Sequence, residues 1–202
     1  MKEKIQNHLE TYGKSYLILF IIFAVGVVLG ITLLNNTNEI AKEQVKNYLT
    51  NSIENIDRKK ISYFVLFKNS FLEKVQFIIF VSLISLSLIG KYGAIALILL
   101  KGFSIGYSIS SIIFAYGAGK GTLIVLSLIL LTEIMFIPTL FYVVITSIQM
   151  FNDFILQNYD TKARMIIRYV TKILGAILVV AVISLIETFI SVNLFLIVEK
   201  II

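Results

Sequence analysis

The sequence predicts an all-α, polytopic membrane bundle of about five transmembrane helices with one extracytoplasmic amphipathic helical segment. Three observations predict it. First, 58% of the residues are hydrophobic and only 15% are charged, whereas a soluble domain is nearer half apolar and a quarter charged. Second, apolar runs approach or exceed the roughly 20 residues that a helix needs to cross about 30 Å of hydrocarbon. Third, Gly26 with Gly30, and Gly102 with Gly106, repeat a small-xxx-small spacing that lets membrane helices approach at backbone distance. A chain so apolar is read as one membrane domain over residues 1–202, without room for a separate soluble enzyme.

Residues 1–15 carry Lys2, Lys4 and Lys14 and are read as cytoplasmic. Residues 16–34 form the first span. Asn35-Asn36-Thr37-Asn38 follows with no A-x-A-like cleavage site, so the span reads as an uncleaved signal anchor. Gly26 and Gly30 mark its packing face.

Residues 35–74 are the long polar segment, placed outside the cell. Ile40, Val45, Tyr48, Leu49, Ile53 and Ile56 recur at helical spacing, with Thr37 or Asn38 as cap. Asp57-Arg58-Lys59-Lys60 then interrupts. Tyr63, Phe64, Phe67 and Phe71 dress a helix expected to lie in the membrane interface. That helix either covers the rim of the bundle or docks partner proteins, and these four aromatics are the candidate partner-binding residues.

Residues 75–89 are a short second span, closed by a turn at Gly90-Lys91-Tyr92-Gly93. Residues 92–116 are the third. A glycine-rich turn at 117–121 leads to a long fourth span, 122–150, kinked where Pro138 removes a backbone donor. Residues 151–172 form a cytoplasmic basic connector, with Asp160 or Thr161 as a cap. Arg164, Arg168 and Lys172 fall at i, i+4, i+8 and make a stripe suited to anionic lipid headgroups. Residues 173–198 are the fifth span, which leaves the C-terminus outside.

Composition removes several functions. No cysteine is present and His8 is the sole histidine, so thiolate or histidine metal sites and serine–histidine catalysis lack their ingredients. Neither cofactor nor metal is expected. Gly117-Ala118-Gly119-Lys120-Gly121 is not a phosphate-binding loop: Gly121 stands where Ser or Thr is required and Phe114 where the first glycine belongs. Gly102-Phe103-Ser104-Ile105-Gly106 fits G-x-S-x-G, but within an apolar helix rather than a strand-to-helix elbow. Net charge is +6, with the basic residues scattered between spans, which fits positive-inside bias and not nucleic-acid binding.

Lys101, Glu133 and Glu187 are charges inside apolar segments. Each costs about 2.5–3.5 kcal/mol at mid-membrane unless it finds protein, water or a partner charge. Lys101 is therefore expected to pair with Glu133 or Glu187 across helices. Such a pair fixes helix register, relays protons or ions, or waits for a partner's membrane helix.

Lys101-Gly102-x-x-x-Gly106, the later Ile137-Pro138, Ile186-Glu187-x-Phe189, and Phe67-x-x-Ser70-Phe71 ahead of the second span stand in an order that resembles the stage II sporulation protein M family. The resemblance covers most of the chain. It implies a non-enzymatic scaffold in the bacterial cell membrane, placed in the mother-cell septal and engulfing membrane during sporulation. The implied partners are stage II sporulation proteins D and P, two cell-wall hydrolases that thin septal peptidoglycan while the mother-cell membrane migrates around the forespore. Self-association through the glycine faces is a further expectation. The rival reading is a transporter or channel subunit with Lys101, Glu133 and Glu187 lining a wet interior.

Overall fold

The computed structural model describes residues 2–54, 62–87, 90–126, 131–156 and 159–201. These residues fold into seven helices with no strand among them. They are α1 (Lys2–Asn36), α2 (Glu39–Glu54), α3 (Tyr63–Ser85), α4 (Gly90–Tyr116), α5 (Ala118–Val125), α6 (Leu131–Leu156) and α7 (Tyr159–Ile201). Four stretches are long and apolar enough to cross a membrane: Thr11–Asn36, Tyr92–Tyr116, Thr132–Asp153 and Ala163–Ile190. The architecture is an all-α membrane bundle.

The closest packing joins α1 to α4. A Cβ at Gly26 would overlap the Leu99 carbonyl oxygen, and one at Gly30 the Phe103 carbonyl oxygen. Reciprocally, a Cβ at Gly102 would overlap the Phe23 carbonyl oxygen and one at Gly106 that of Val27. All four glycines are thus spent on one crossing at which the two backbones touch. Residue numbers rise together along it, so α1 and α4 run parallel.

Two helices that run parallel and both cross a bilayer require the chain between them to return. α3 is the available return segment. It is not among the four apolar stretches because every 18-residue window of it contains Lys68, Glu73 and Lys74. Its buried face is Lys74, Ile78, Val81, Ser82 and Ser85, spaced as one helical stripe. Ser82 and Ser85 donate to the Ile79 and Val81 carbonyls, which satisfies both hydroxyls in place.

The absence of native cysteine makes single-cysteine labelling a clean test. A cysteine at Ser87 is expected to label from the side opposite to one at Asn38, and from the same side as one at Asp153. Labelling of Ser87 and Asn38 from one side would show that α3 does not cross.

Several expected boundaries move. The aromatic stretch from Tyr63 and the second span are one continuous helix, α3, not an interfacial helix followed by a span. Helical spacing simply continues through Lys68, Glu73 and Lys74. The turn placed at Gly90–Gly93 lies inside α4; the described part of the bend is Leu86–Ser87, and residues 88–89 lie outside the described residues. Within the expected fourth span the described helices are α5, which ends at Val125, and α6, which starts at Leu131, with residues 127–130 outside the described residues. Gly117, at φ 79°, turns the chain into α5, and Gly121 backs onto the Ile113 Cα. Pro138 lies inside α6. The basic connector is itself helical, since α6 runs to Leu156 and α7 starts at Tyr159.

Asn38 does cap α2: its side-chain oxygen accepts from the Ala41 backbone N–H at 3.0 Å. The interruption at 57–60 and Ile56 lie outside the described residues, as do the side chains of Asp160 and Thr161. α2 packs against α4, where the Tyr116 hydroxyl donates to the Leu49 carbonyl at 3.5 Å. α6 runs antiparallel to α1, with Phe23 edge-on to Phe141 at 6.4 Å and Tyr12 and Ser15 sharing a cavity with Gln149 and Asn152. The core lies among α1, α3, α4, α6 and α7, with Ile78, Val81, Ala94, Ile98, Phe136, Leu140, Val143, Val144 and Val180 closed from solvent.

Candidate functional site: two ion pairs around Phe136

Four charged side chains meet within the bundle. The Lys101 Nζ of α4 donates to Glu133 Oε1 of α6 at 2.8 Å. The Lys74 Nζ of α3 donates to Glu187 Oε2 of α7 at 2.5 Å and to Ser70 Oγ, one turn earlier, at 3.0 Å. The Ser70 hydroxyl in turn donates to the same Glu187 oxygen. Lys74, Ser70 and Glu187 close a three-membered ring of hydrogen bonds in which the lysine and the serine both point at one carboxylate oxygen.

Phe136 joins the two pairs. Its ring centroid lies 5.4 Å from the Lys101 Nζ and 5.9 Å from the Lys74 Nζ, and its side chain is 1% exposed. Lys101 also lies 5.9 Å from the Phe77 ring. A cation within about 6 Å of an aromatic centroid is attracted by the ring quadrupole, most strongly when it is desolvated. Both ammonium groups are thus balanced twice, by a carboxylate and by an aromatic face. Four helices are locked in register by these contacts: α3 to α7, α4 to α6, and both pairs through Phe136 of α6.

Lys101 takes Glu133, and Glu187 belongs to Lys74. The sequence reading named Lys101, Glu133 and Glu187 but left Lys74 at the end of the polar segment. Its omission has a specific cause. With the second span begun at residue 75, Lys74 counted as a rim residue, whereas the continuous α3 carries it inward on the same stripe as Ile78. The signal was present: Phe67, Ser70, Phe71, Lys74, Ile78 and Val81 fall at i, i+3, i+4, i+7, i+11 and i+14, one helical face. Phe136 carried no sequence signal beyond its place among apolar neighbours.

Two cavities flank the ion pairs. One of about 400 Å³ is lined by Glu73, Lys74, Gln76, Phe77, Phe80, Lys101 and Phe136. The other, about 780 Å³, is an apolar groove between α1 and α6 in which Tyr16, Phe20, Val28, Pro138 and Phe141 take part. Glu133 is its single charged wall residue. The second carboxylate oxygen, Glu133 Oε2, is buried without a hydrogen-bond partner among the described residues. Pro138 shapes this groove.

The expected partner-binding aromatics divide. Tyr63 and Phe64 are exposed. Phe67 and Phe71 stack on each other at 5.7 Å and 12°, and Phe71 packs against the core. The basic stripe divides too: Arg168 and Lys172 edge a polar cavity between α6 and α7, while Arg164 is exposed and does not line it.

A multi-helix membrane bundle held in register by two interior ion pairs and one glycine crossing is the class these features define. The chain belongs to the stage II sporulation protein M family, whose profile matches residues 19–192. That match takes in α2 to α6 entirely and all four glycines and four interior charges. No curated protein and no solved structure matches the chain. Family membership makes it a sporulation-related membrane protein.

Proposed function

We propose that the protein is a non-enzymatic membrane scaffold for engulfment, anchoring and localising peptidoglycan hydrolases at the sporulation septum. Family membership supports the sporulation context. The observation that carries the scaffold reading is the pairing of the interior charges across helices. Lys101 with Glu133, and Lys74 with Ser70 and Glu187, are spent on each other. Ion pairs used this way fix which helix faces which, the best-attested role for buried charge. A rigid bundle of this kind holds a binding surface at the membrane. Tyr63, Phe64, Val65 and Leu66 then offer an exposed apolar patch at the start of α3, contiguous in sequence with the outward segment. Exposed apolar clusters of this type mark contact sites.

The test is affinity purification of the solubilised protein from sporulating cells. Cell-wall hydrolases of the kind implied above are expected to co-purify, and Tyr63→Ser with Phe64→Ser to reduce their recovery about tenfold, the scale of a lost aromatic anchor. Unchanged recovery from the double variant, with the bundle intact, would exclude this surface.

A second reading, a transporter or channel subunit, draws on the 400 Å³ cavity that touches Lys74 and Lys101. The same purification separates the two. Recovery alone, or with an ATPase in place of hydrolases, favours transport and turns attention to Lys101, Glu133 and Glu187.

A further inference from the structure

The end of the bundle formed by the α6–α7 hairpin contains a small polar cavity of about 100 Å³. Its walls include Thr146, Gln149 and Asp153 of α6, and Arg168, Tyr169 and Lys172 of α7. Two of these carry buried polar atoms with no partner among the described residues: Thr146 Oγ1 and Gln149 Nε2. Thr146 is 2% exposed, so its hydroxyl has no access to bulk water. A neighbouring pair behaves differently. The Ser147 hydroxyl donates to the Val143 carbonyl at 2.8 Å and accepts from the Tyr169 hydroxyl at 2.9 Å. The local packing thus satisfies Ser147 and Tyr169 but leaves two polar atoms of cavity-lining residues, Thr146 Oγ1 and Gln149 Nε2, without a partner among the described residues.

Buried donors left unpaired cost about 1–3 kcal/mol each, which is a reason to look for what they hold. Space for one water takes roughly 10–15 Å³ on the same measure, so this cavity admits several waters or one tetrahedral group. Arg168 and Lys172 add two positive charges at its edge and Asp153 one negative, a net +1. Two neutral donors inside and a guanidinium and an ammonium at the mouth form an acceptor-binding set, and arginine matches phosphate oxygens two at a time. The cavity lies at the same end of the bundle as Tyr12 and Ser15 of α1, since Gln149 also walls a largely apolar cavity of about 340 Å³ with Tyr12, Ser15, Ile18 and Leu19.

We propose that Thr146, Gln149, Arg168 and Lys172 form a binding site for a phosphate group. It takes the phosphodiester of a membrane phospholipid or a free phosphate. The site is distinct from general attraction of the basic stripe to anionic headgroups, because Arg164 belongs to the stripe and not to the cavity. It also stands apart from the hydrolase-anchoring reading and survives if that reading fails.

The experiment is native mass spectrometry of the full chain in a phosphate-free maltoside detergent. The probes are dioctanoyl phosphatidylglycerol, dioctanoylglycerol as its phosphate-free counterpart, and inorganic phosphate. One phosphatidylglycerol is expected to remain bound and dioctanoylglycerol is not. Thr146→Val and Arg168→Gln should each weaken binding about tenfold, the scale of one hydrogen bond to a charged group. Arg164→Gln should leave it unchanged, and Asp153→Asn should tighten it. Displacement of the lipid by millimolar inorganic phosphate, with the same dependence on Arg168, assigns the site to free phosphate; retention assigns it to the lipid. Equal binding of both dioctanoyl compounds, equal loss from Arg164→Gln and Arg168→Gln, or weakening by Asp153→Asn would overturn the proposal. Arg168 is exposed, so Arg168→Gln remains a fair test even if Thr146→Val perturbs folding.

Discussion

Replacing Glu187 by Leu is expected to cost the bundle about 3–5 kcal/mol, the penalty for leaving a buried ammonium without its counter-charge. Lys74 would keep only Ser70 and the Phe136 ring, with a side chain that is 8% exposed. The measurement is thermal or denaturant unfolding of the detergent-solubilised protein. Pairing the change with Lys74→Met should restore most of the loss, because a matched apolar replacement of both charges is often neutral or stabilising. Recovery in the double variant identifies the pair as a register device. A double variant as unstable as the single one would mean that the charges do more than balance each other. If Glu187→Leu proved neutral, the ion pair would have no structural weight. Removing the acid of the Lys101–Glu133 pair should cost less, since Lys101 keeps 17% side-chain exposure against 8% for Lys74.

Gly102→Leu is expected to be the other strongly damaging change. Overpacking a well-packed site commonly costs about 1–3 kcal/mol, and here the obstructing atom is the Phe23 backbone carbonyl, which cannot change rotamer. The only relief is separation of α1 from α4, the most extensive helix contact in the molecule. Gly175→Leu is the control, because a Cβ there meets nothing within 4 Å. The two variants differ by one position of the same residue type in membrane helices, so propensity cancels. Equal yields of folded Gly102→Leu and Gly175→Leu protein would refute the crossing.

The class of fold was legible because hydrocarbon imposes it. A chain this apolar must satisfy its backbone within helices, and the apolar runs give their places. The glycine pairs were legible as well, since few reasons other than contact explain two glycines four apart on each of two spans. Which charges met was only half legible. Periodicity places Lys101, Glu133 and Glu187 in apolar surroundings, but partner choice depends on crossing angle and helix direction, and sequence encodes neither locally. Lys74 was missed for a different reason. A rule that ends a span at the first cluster of charges assumes that charges face water, and the assumption fails when the partner lies 113 residues away. The α6–α7 cavity had no sequence signal in Thr146 or Gln149; only packing reveals that their polar atoms are left over.

That 113-residue separation between Lys74 and Glu187 also sets a schedule. A ribosome adding about 5–20 residues per second needs roughly 6–23 seconds to travel from one to the other. Throughout that interval the Lys74 ammonium of the nascent α3 lacks its Glu187 partner. During synthesis the helix is therefore a poor resident of the bilayer, and it becomes a stable one when α7 arrives. A chain halted before Glu187 would leave Lys74 without its carboxylate, at a cost of about 2.5–3.5 kcal/mol in the bilayer. The ion pair that fixes register in the finished bundle therefore forms only when synthesis of the chain is nearly complete.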